Sequence, residues 1–563
     1  MGDGLCRGLG GGKERGTVMG ESILKFYREN VKKEWKTAFL SAVIVGFLVH
    51  TYRFTNYFPN HDGLFNFWST QNMVASGRWF LAPACALSSC FDLPWIIGVL
   101  SVFFLALTAV LIAEIFEMKN PRLIILSSSL LVSFPAVTET MFFEFTADGY
   151  MLAMLLGTIS VYLTRMSGGF RWKNGIAAAV CVCLTCAIYQ AYVSFAFVLA
   201  VCYFMYELLK NRQSRETYWK WIGCQAGIFL SGLILYFVIW QLIMKLSGIS
   251  PASYEGINAM GGIHAGALLS AAKQSLSSFV WFFLDRNPMR YGFSVYSVLG
   301  ILFAAAFVIA CATAFHRSGM GKRPMEALLF LLCMLVIPFG CYLCYFISPG
   351  VEYYTRMLQA IAILYLLLGV LSEQWGSGAC KNLVMLLLSG IIFYNSVTAN
   401  VCYAYLNRCH ERSLATATEL STRIHLEDDG TARNVAFFGS IGGNWTITEE
   451  EIMDDSKLGT LGPLKMVNYD LLSDRDLIVL FLDQYLDFTL EYYRYLDAEL
   501  PAYPFSPTAP VPQGYTLRFP IADRDTMDNI ASSDEFQQMG IWPGRDSVKR
   551  IGSTIVVRFS ETE

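Results

Sequence analysis

The sequence predicts an all-α polytopic membrane protein of about eleven transmembrane helices, with a C-terminal α/β domain outside the membrane. Of its 563 residues, 54% are hydrophobic and only 15% are charged. Apolar runs of roughly 17–25 residues recur, and a helix of that length crosses a bilayer. Charge is uneven, because residues 405–563 carry 14 Lys and Arg against 26 Asp and Glu, whereas residues 1–404 carry 28 against 19. The two parts therefore face different solvents.

The apolar runs define a membrane domain over residues 37–404. Lys and Arg concentrate in alternate connections, and this bias places the N-terminal segment, residues 1–36, in the cytoplasm. An odd number of spans then places residues 405–563 on the opposite, non-cytoplasmic side. The predicted spans are 37–53, 94–116, 122–136, 148–164, 175–189, 190–208, 220–245, 293–315, 325–347, 355–372 and 382–404.

Residues 405–563 have the composition of a small soluble α/β domain. A glycine-rich stretch at 438–443 lacks the spacing of a phosphate-binding loop, so no nucleotide is assigned to it, and no nucleic-acid partner is expected. Apolar patterning predicts strands at 434–439, 476–482, 515–519 and 553–559, and helices near 411–424, 484–500 and 524–539.

The first outer loop, residues 53–95, carries most of the polar chemistry that precedes the second span. Its turn at Asn60, His61 and Asp62 predicts the cap of a helix that runs to about Ser76, with Gly77 as the C-terminal stop. At helical spacing one polar face would contain Asp62, Asn66, Ser69, Asn72 and Ser76.

Arg78 follows this predicted helix, and its guanidinium suits a phosphate at the membrane surface. A purely structural interpretation competes with the functional one. In that interpretation Asp62 only caps the helix and Arg78 only extends toward the interface. The functional interpretation is favoured because one loop of a charge-poor membrane domain carries a His, a carboxylate, a polar face and an Arg.

Other outer acids divide into structural and functional candidates. Asp92 precedes Pro94 and is interpreted as the N-cap of the second span. Glu144 and Asp148 would lie one helical turn apart and face the outer compartment, although Asp148 suits an N-cap equally. The spacing leaves open whether Asp62, Glu144 and Asp148 bind one divalent cation, so no cofactor and no metal ligand is assigned.

Three further outer segments complete the candidate site. Tyr189 and Gln190, at a tight turn between spans, can contact a sugar or a phosphate, although an interfacial aromatic belt accounts for the tyrosine equally. Arg356 begins an apolar helix, where its rigid guanidinium suits a phosphate. Residues 268–283 have the apolar periodicity of a second helix lying on the membrane.

These residue types indicate a reaction on a lipid-linked sugar. An enzyme with its carboxylates and arginines outside cannot use cytosolic nucleotide sugars, but it can use a donor carried on a lipid. The reaction needs a carboxylate that removes the proton of an acceptor hydroxyl, and cations that stabilise the leaving phosphate. Asp62 is the candidate base, and Arg78 with Arg356 are the candidate phosphate ligands.

Several short motifs resemble those of the Gtr type II glucosyltransferases across roughly residues 40–400. They are Asn60-His61-Asp62-Gly63, Gln71-Asn72-Met73, Ser76-Gly77-Arg78-Trp79, Asp92-Leu93-Pro94-Trp95, Glu144-Phe145-Thr146-Ala147-Asp148 and Tyr189-Gln190.

The resemblance implies a GT-C membrane fold in the bacterial plasma (inner) membrane, and a polyprenyl-phosphate-linked hexose, typically glucose, as the donor. The acceptor would be a cell-surface glycan, and bound membrane lipids are expected. In this fold the first outer loop supplies the catalytic acid residue, and Asp62 is the matching position. The substrate-binding candidates are then His61, Asn66, Asn72, Tyr189 and Gln190.

Two other functions compete with this transferase. A lipid-linked glycan polymerase or ligase would use a diphosphate-linked oligosaccharide and should carry more basic residues in its outer loops. A flippase or transporter should carry ionisable residues in mid-membrane on broken helices, and the predicted spans carry almost none.

Overall fold

The structure is a computed structural model that describes residues 31–64, 66, 69–89, 91–169, 171–252, 265–284, 295–348, 351, 353–439 and 522–560; the side chains of His61, Leu64, Ala265 and Cys409 are excepted. The strands predicted at 476–482 and 515–519, and the helix predicted at 484–500, lie outside the described residues.

Helices dominate the described part of the membrane domain. Nine of them are long and apolar enough to cross a membrane, and Trp172–Ile188 and Gln359–Trp375 are shorter apolar helices. The described α-helices before the last long one are Lys33–Thr55, His61–Leu64, Leu81–Cys85, Pro94–Ile115, Pro121–Ser133, Pro135–Phe142, Ala147–Leu163, Trp172–Ile188, Val193–Lys210, Arg215–Ser247, Ala265–Phe283, Val295–Arg317, Pro324–Cys341, Cys344–Ile347 and Ala362–Trp375.

Each predicted apolar run falls on a helix, so the prediction of a polytopic helical membrane protein is confirmed. The helix Ala265–Phe283 confirms the second amphipathic segment. Its position relative to a membrane surface stays a prediction, as does the total of eleven spans.

The core of the bundle is built around Val193–Lys210 and Ala362–Trp375, in which nearly every residue is buried. Outer helices such as Arg215–Ser247 bury one stripe and leave Leu230, Ile234 and Val238 exposed. Exposed aliphatic side chains on a spanning helix are typical of a surface that faces lipid.

A break within one span places acidic residues at one end of the bundle. The helix Pro121–Ser133 ends at Phe134, which has an extended backbone (φ −64°, ψ 140°), and Pro135 begins the next helix. A proline disfavours the helical conformation of the residue before it, so the chain turns here. The following helix, Pro135–Phe142, and the 3₁₀ turn Glu144–Thr146 then lead into Ala147–Leu163.

The last long helix, Gly378–Glu427, extends well beyond the length that a bilayer needs. The boundary predicted between residues 404 and 405 therefore falls within a continuous helix. Near its end, Arg423 donates hydrogen bonds from Nη1 to the carbonyl oxygens of Pro543 (2.9 Å) and Gly544 (3.0 Å). These bonds hold the C-terminal residues against the helix.

The described C-terminal residues form a three-stranded sheet. β1 is Asn434–Phe438, β2 is Val548–Ile551 and β3 is Thr554–Arg558, in the order β1-β3-β2. β3 pairs with β1 in parallel and with β2 in antiparallel orientation. The strands predicted at 434–439 and 553–559 are confirmed, whereas the helix predicted over 524–539 is two short helices, Arg524–Ala531 and Asp534–Gln537.

Candidate functional site

The turn that carries Asp62 is a four-residue helix, His61–Leu64, closed by side chains of the loop. Asn60 Oδ1 accepts the backbone N–H of Gly63 at 2.8 Å, which is the geometry of a helix cap. Asn66 Nδ2 donates to the carbonyl oxygen of Asp62 at 2.8 Å. The Asp62 carboxylate takes no part in these bonds, and its side chain is half-buried.

The helix predicted from Asp62 to Ser76 is wrong. Gln71 has φ +54°, which a continuing right-handed helix does not allow. Its Nε2 donates to Oδ1 of the buried Asn66 at 2.9 Å, so polar side chains fold the loop back on itself. Asn72 is exposed, and the His61 side chain lies outside the described part of the chain.

A 3₁₀ turn, Val74–Ser76, precedes Arg78, and Gly77 ends it with φ +80°. The predicted glycine stop is thus confirmed, although the helix that it ends is short. The backbone N–H of Arg78 donates to the carbonyl oxygen of Met73 at 3.0 Å. This tight turn fixes the direction in which the Arg78 side chain leaves the loop.

Arg78 packs among tyrosines that come from two other elements. Its guanidinium lies over the ring of Tyr189, 4.5 Å from the centroid, and Nη1 donates to the hydroxyl of Tyr150 at 3.3 Å. Tyr150 and Tyr189 stack in parallel at 4.7 Å. The cation is therefore held by a ring face and a hydroxyl, an arrangement that fixes its position.

Gln190 joins the first outer loop to a distant helix. Its Nε2 donates to the carbonyl oxygen of Ser76 at 2.7 Å and to the Tyr236 hydroxyl at 3.1 Å. Gly77 sits between these groups, and a Cβ built on it would collide with the Tyr236 hydroxyl and the Gln190 amide. The turn before Arg78 thus depends on having no side chain at Gly77.

We predict that Gly77→Ala destabilises this turn by about 2 kcal/mol, because alanine disfavours the left-handed conformation and the added methyl has no space. Thermal unfolding in detergent measures the effect. The matched control is Gly227→Ala, in which the new methyl contacts nothing within 4 Å. Equal unfolding temperatures for the two variants would contradict the prediction.

Arg356 is paired with an acid rather than left open to solvent. Its Nη1 donates to Glu139 Oε1 at 3.1 Å, and its backbone N–H donates to Glu139 Oε2 at 2.8 Å. The guanidinium also lies 4.1 Å from the ring centroid of Phe143. Sequence reasoning did not identify Glu139 as the partner of Arg356.

The two arginines approach the same tyrosine. Burial raises the pKa of Tyr189, and the positive charges of Arg356 and Arg78 both act in the opposite direction. Both cations are therefore within electrostatic reach of one hydroxyl. Two guanidinium groups within electrostatic reach of one hydroxyl are suited to an anion with several oxygens.

A second cluster, buried beneath the loop, contains Arg53, Asp92 and Glu144. Arg53 Nη2 pairs with Glu144 Oε2 at 2.6 Å, and Arg53 Nε donates to the carbonyl oxygen of Met141 at 3.0 Å. The charges of Arg53 and Asp92 also interact. Sequence reasoning missed Arg53 as a site residue, although a cation in the last turn of an apolar span was a usable signal.

The N-cap role predicted for Asp92 is wrong, whereas Pro94 does begin the helix. The cap residue of Pro94–Ile115 is Leu93, and no side-chain cap bond is formed there. The Asp92 side chain instead turns into the protein, where it is 3% exposed.

Asp148 and Glu144 are both buried, but they have different partners. Asp148 Oδ1 accepts the backbone N–H of Gly149 at 2.8 Å, and the side chain of Ser88 lies near its carboxylate. The cap residue of its helix is Thr146, so Asp148 is not an N-cap. Asp148 thus ties the first outer loop to the helix Ala147–Leu163.

Within the described residues, no group of three or more His, Cys, Asp or Glu side chains is arranged to hold a metal ion. Glu144 faces a guanidinium and Asp148 faces backbone and hydroxyl donors, so neither has the surroundings of a ligand in a shared cation site.

Residues 51–373 match the family model described as Glucosyl transferase GtrII, which covers more than half of the chain. This chain belongs to the GtrII glucosyltransferase family. Neither the curated proteins nor the solved structures contain a match. The matched range includes the loop with Asp62, both arginines and the acids of the buried cluster, so the candidate site lies within the part of the chain that defines a GtrII glucosyltransferase.

Proposed function

We propose that this chain transfers a hexose, glucose by its family, from a polyprenyl-phosphate donor to a cell-surface glycan. The reaction takes place at the outer face of the bacterial plasma membrane, with residues 405–563 on the same side and Asp62 as the base. The observation that supports it best is that Arg78 lies over the Tyr189 ring while Arg356 is within electrostatic reach of the same residue, because the departing group of such a donor is a phosphate.

The charges of the site fit a phosphate that gains negative charge as it leaves. Glu139 neutralises part of Arg356, whereas Arg78 contacts a tyrosine ring and a hydroxyl. A phosphate monoester bound here would receive one rigid guanidinium from the loop and a second that is already oriented by its carboxylate. Asp62, half-buried on the same loop, is accessible to an acceptor hydroxyl.

The donor is tested with membranes that contain the intact chain and a crude cell-envelope acceptor. Radiolabelled undecaprenyl-phosphate-glucose should transfer its sugar, whereas membranes without the chain should show only background. Radiolabelled nucleotide-glucose should give no transfer when the membranes contain no endogenous lipid carrier. Transfer from the nucleotide sugar, or from a diphosphate-linked oligosaccharide alone, would contradict the proposal.

Arg78→Gln is expected to raise the apparent KM for the lipid donor at least about tenfold, because a charge-assisted hydrogen bond to phosphate is lost. The matched control is Arg171→Gln, since Arg171 is an exposed arginine distant in sequence from both clusters. An unchanged KM in Arg78→Gln would remove Arg78 from the donor site.

A further inference from the structure

The buried cluster beneath the loop contains two carboxylates and one guanidinium. Arg53, Glu144 and Asp92 are 1%, 2% and 3% exposed. Arg53 is committed to Glu144 by the 2.6 Å ion pair, and its guanidinium also lies 4.6 Å from the ring centroid of Phe58. Because one cation cannot neutralise two buried carboxylates, the cluster favours a bound proton.

Asp92 is the member of the cluster that is best suited to take up this proton. Neither of its carboxylate oxygens has a hydrogen-bond partner among the residues that the structure describes. An ionised carboxylate in such surroundings is costly, so it gains by protonation. Burial raises the pKa of Asp92 to about 6, against the opposing charge of Arg53.

Asp92 also lies directly against the turn that carries Asp62. Its Oδ2 is 4.0 Å from the position that a Cβ on Gly63 would occupy, and Gly63 follows Asp62 in the four-residue helix. Among the described residues, Tyr403 and His410 of the last long helix are also within electrostatic reach of Arg53. Asp92 is thus the carboxylate of the cluster that lies against the turn of Asp62.

We infer that Asp92 is a positioning residue that receives from Asp62 the proton of the acceptor hydroxyl. The inference rests on the proposed function. The acceptor oxygen uses its O–H electron pair to form the new bond to the sugar C1, and its proton passes to Asp62. The bond between C1 and the phosphate oxygen breaks, and polyprenyl phosphate leaves with that electron pair. The proton then moves from Asp62 to the buried Asp92, and it returns through the half-buried Asp62 to solvent before the next turnover.

The sign of the pH dependence follows from this role. Above about pH 6 Asp92 is ionised and can accept a proton, whereas below it the residue is already protonated. Transfer by the unmodified protein should therefore fall as the pH is lowered through about 6.

The test compares Asp92→Asn with the unmodified full-length protein in the lipid-donor assay between pH 5 and pH 8, at about one-unit intervals. The amide cannot accept the proton, so kcat should fall at least about tenfold at neutral pH, the inflection near pH 6 should disappear, and the apparent KM for the donor should stay within about twofold. An Asp92→Asn protein with unchanged kcat and an unchanged inflection would overturn the inference.

Two further measurements test the inference if Asp92→Asn folds poorly. Asp92→Glu keeps a proton-accepting group in a different position, so its inflection should move; an inflection that stays in place would overturn the inference. Infrared difference spectra should show a protonated-carboxyl band that titrates near pH 6 and is absent from Asp92→Asn. If the unmodified protein transfers no sugar, the proposed function fails, whereas the infrared titration still decides whether Asp92 takes up a proton.

Discussion

Asp62→Asn is expected to abolish sugar transfer, with a loss of at least about 100-fold, while the protein still inserts and folds. The amide has nearly the same shape as the carboxylate but cannot remove the proton of an acceptor hydroxyl, and such proton transfer contributes a factor of this size or more. Folding should persist because the turn is closed by Asn60 Oδ1 to Gly63 N–H and by Asn66 Nδ2 to the Asp62 carbonyl oxygen. Neither bond uses the side chain that is replaced.

The measurement is the lipid-donor assay in membranes, with the unfolding temperature in detergent as the folding control. Glu216→Gln is the matched loss of one carboxylate, since Glu216 is exposed and pairs along its own helix with Lys220 at 2.6 Å. Transfer that persists in Asp62→Asn would move the base to Glu144 or Asp148. Both are buried beneath the loop, so that result would also require the loop to open during turnover.

Local properties of the chain made the helical architecture predictable. A span needs only a continuous apolar run, and Pro94–Ile115 or Val295–Arg317 can be recognised without knowing any neighbour. Gly77 was predictable for the same reason, because a left-handed residue at the end of a turn favours glycine wherever the turn lies.

The pairing of charges was not predictable from sequence. Arg356 meets Glu139 across 217 residues, and Gln190 meets the Ser76 carbonyl oxygen across 114. Spacing along the chain carries no information about such contacts. Arg78 and Arg356 were identified by residue type and by their place next to apolar helices, but their common approach to Tyr189 required the fold.

The helix predicted from Asp62 to Ser76 was wrong because the periodicity of polar residues does not account for side-chain hydrogen bonds to the backbone. Asn, Gln and Ser offer the chain alternatives to helical hydrogen bonds. Here Asn66 binds the carbonyl oxygen of Asp62 after one turn, and Gln71 adopts a left-handed backbone while it binds Asn66. At Asp92 a different cause applies, because Leu93 takes the cap position and the Asp92 carboxylate is buried instead.

Arg53→Met is expected to cause the largest loss of stability of any single substitution considered, about 3–5 kcal/mol, because it leaves Glu144 buried without its cation. The ion pair is 1% and 2% exposed on its two sides, so water cannot replace the lost partner. The hydrogen bond to the Met141 carbonyl oxygen is lost as well. Unfolding in detergent, followed by temperature or denaturant, measures the change.

The double variant Arg53→Met with Glu144→Leu separates charge from packing. Removing both members of a buried ion pair is often nearly neutral, so the double variant should be more stable than Arg53→Met alone by at least about 2 kcal/mol. Asp92 can then remain protonated, since no cation is left to hold it ionised. If the single and double variants unfold at the same temperature, the contribution of Arg53 is packing against Phe58 rather than neutralisation of Glu144. In that case charge balance does not require a bound proton in the cluster, and it no longer identifies Asp92 as the group that binds one.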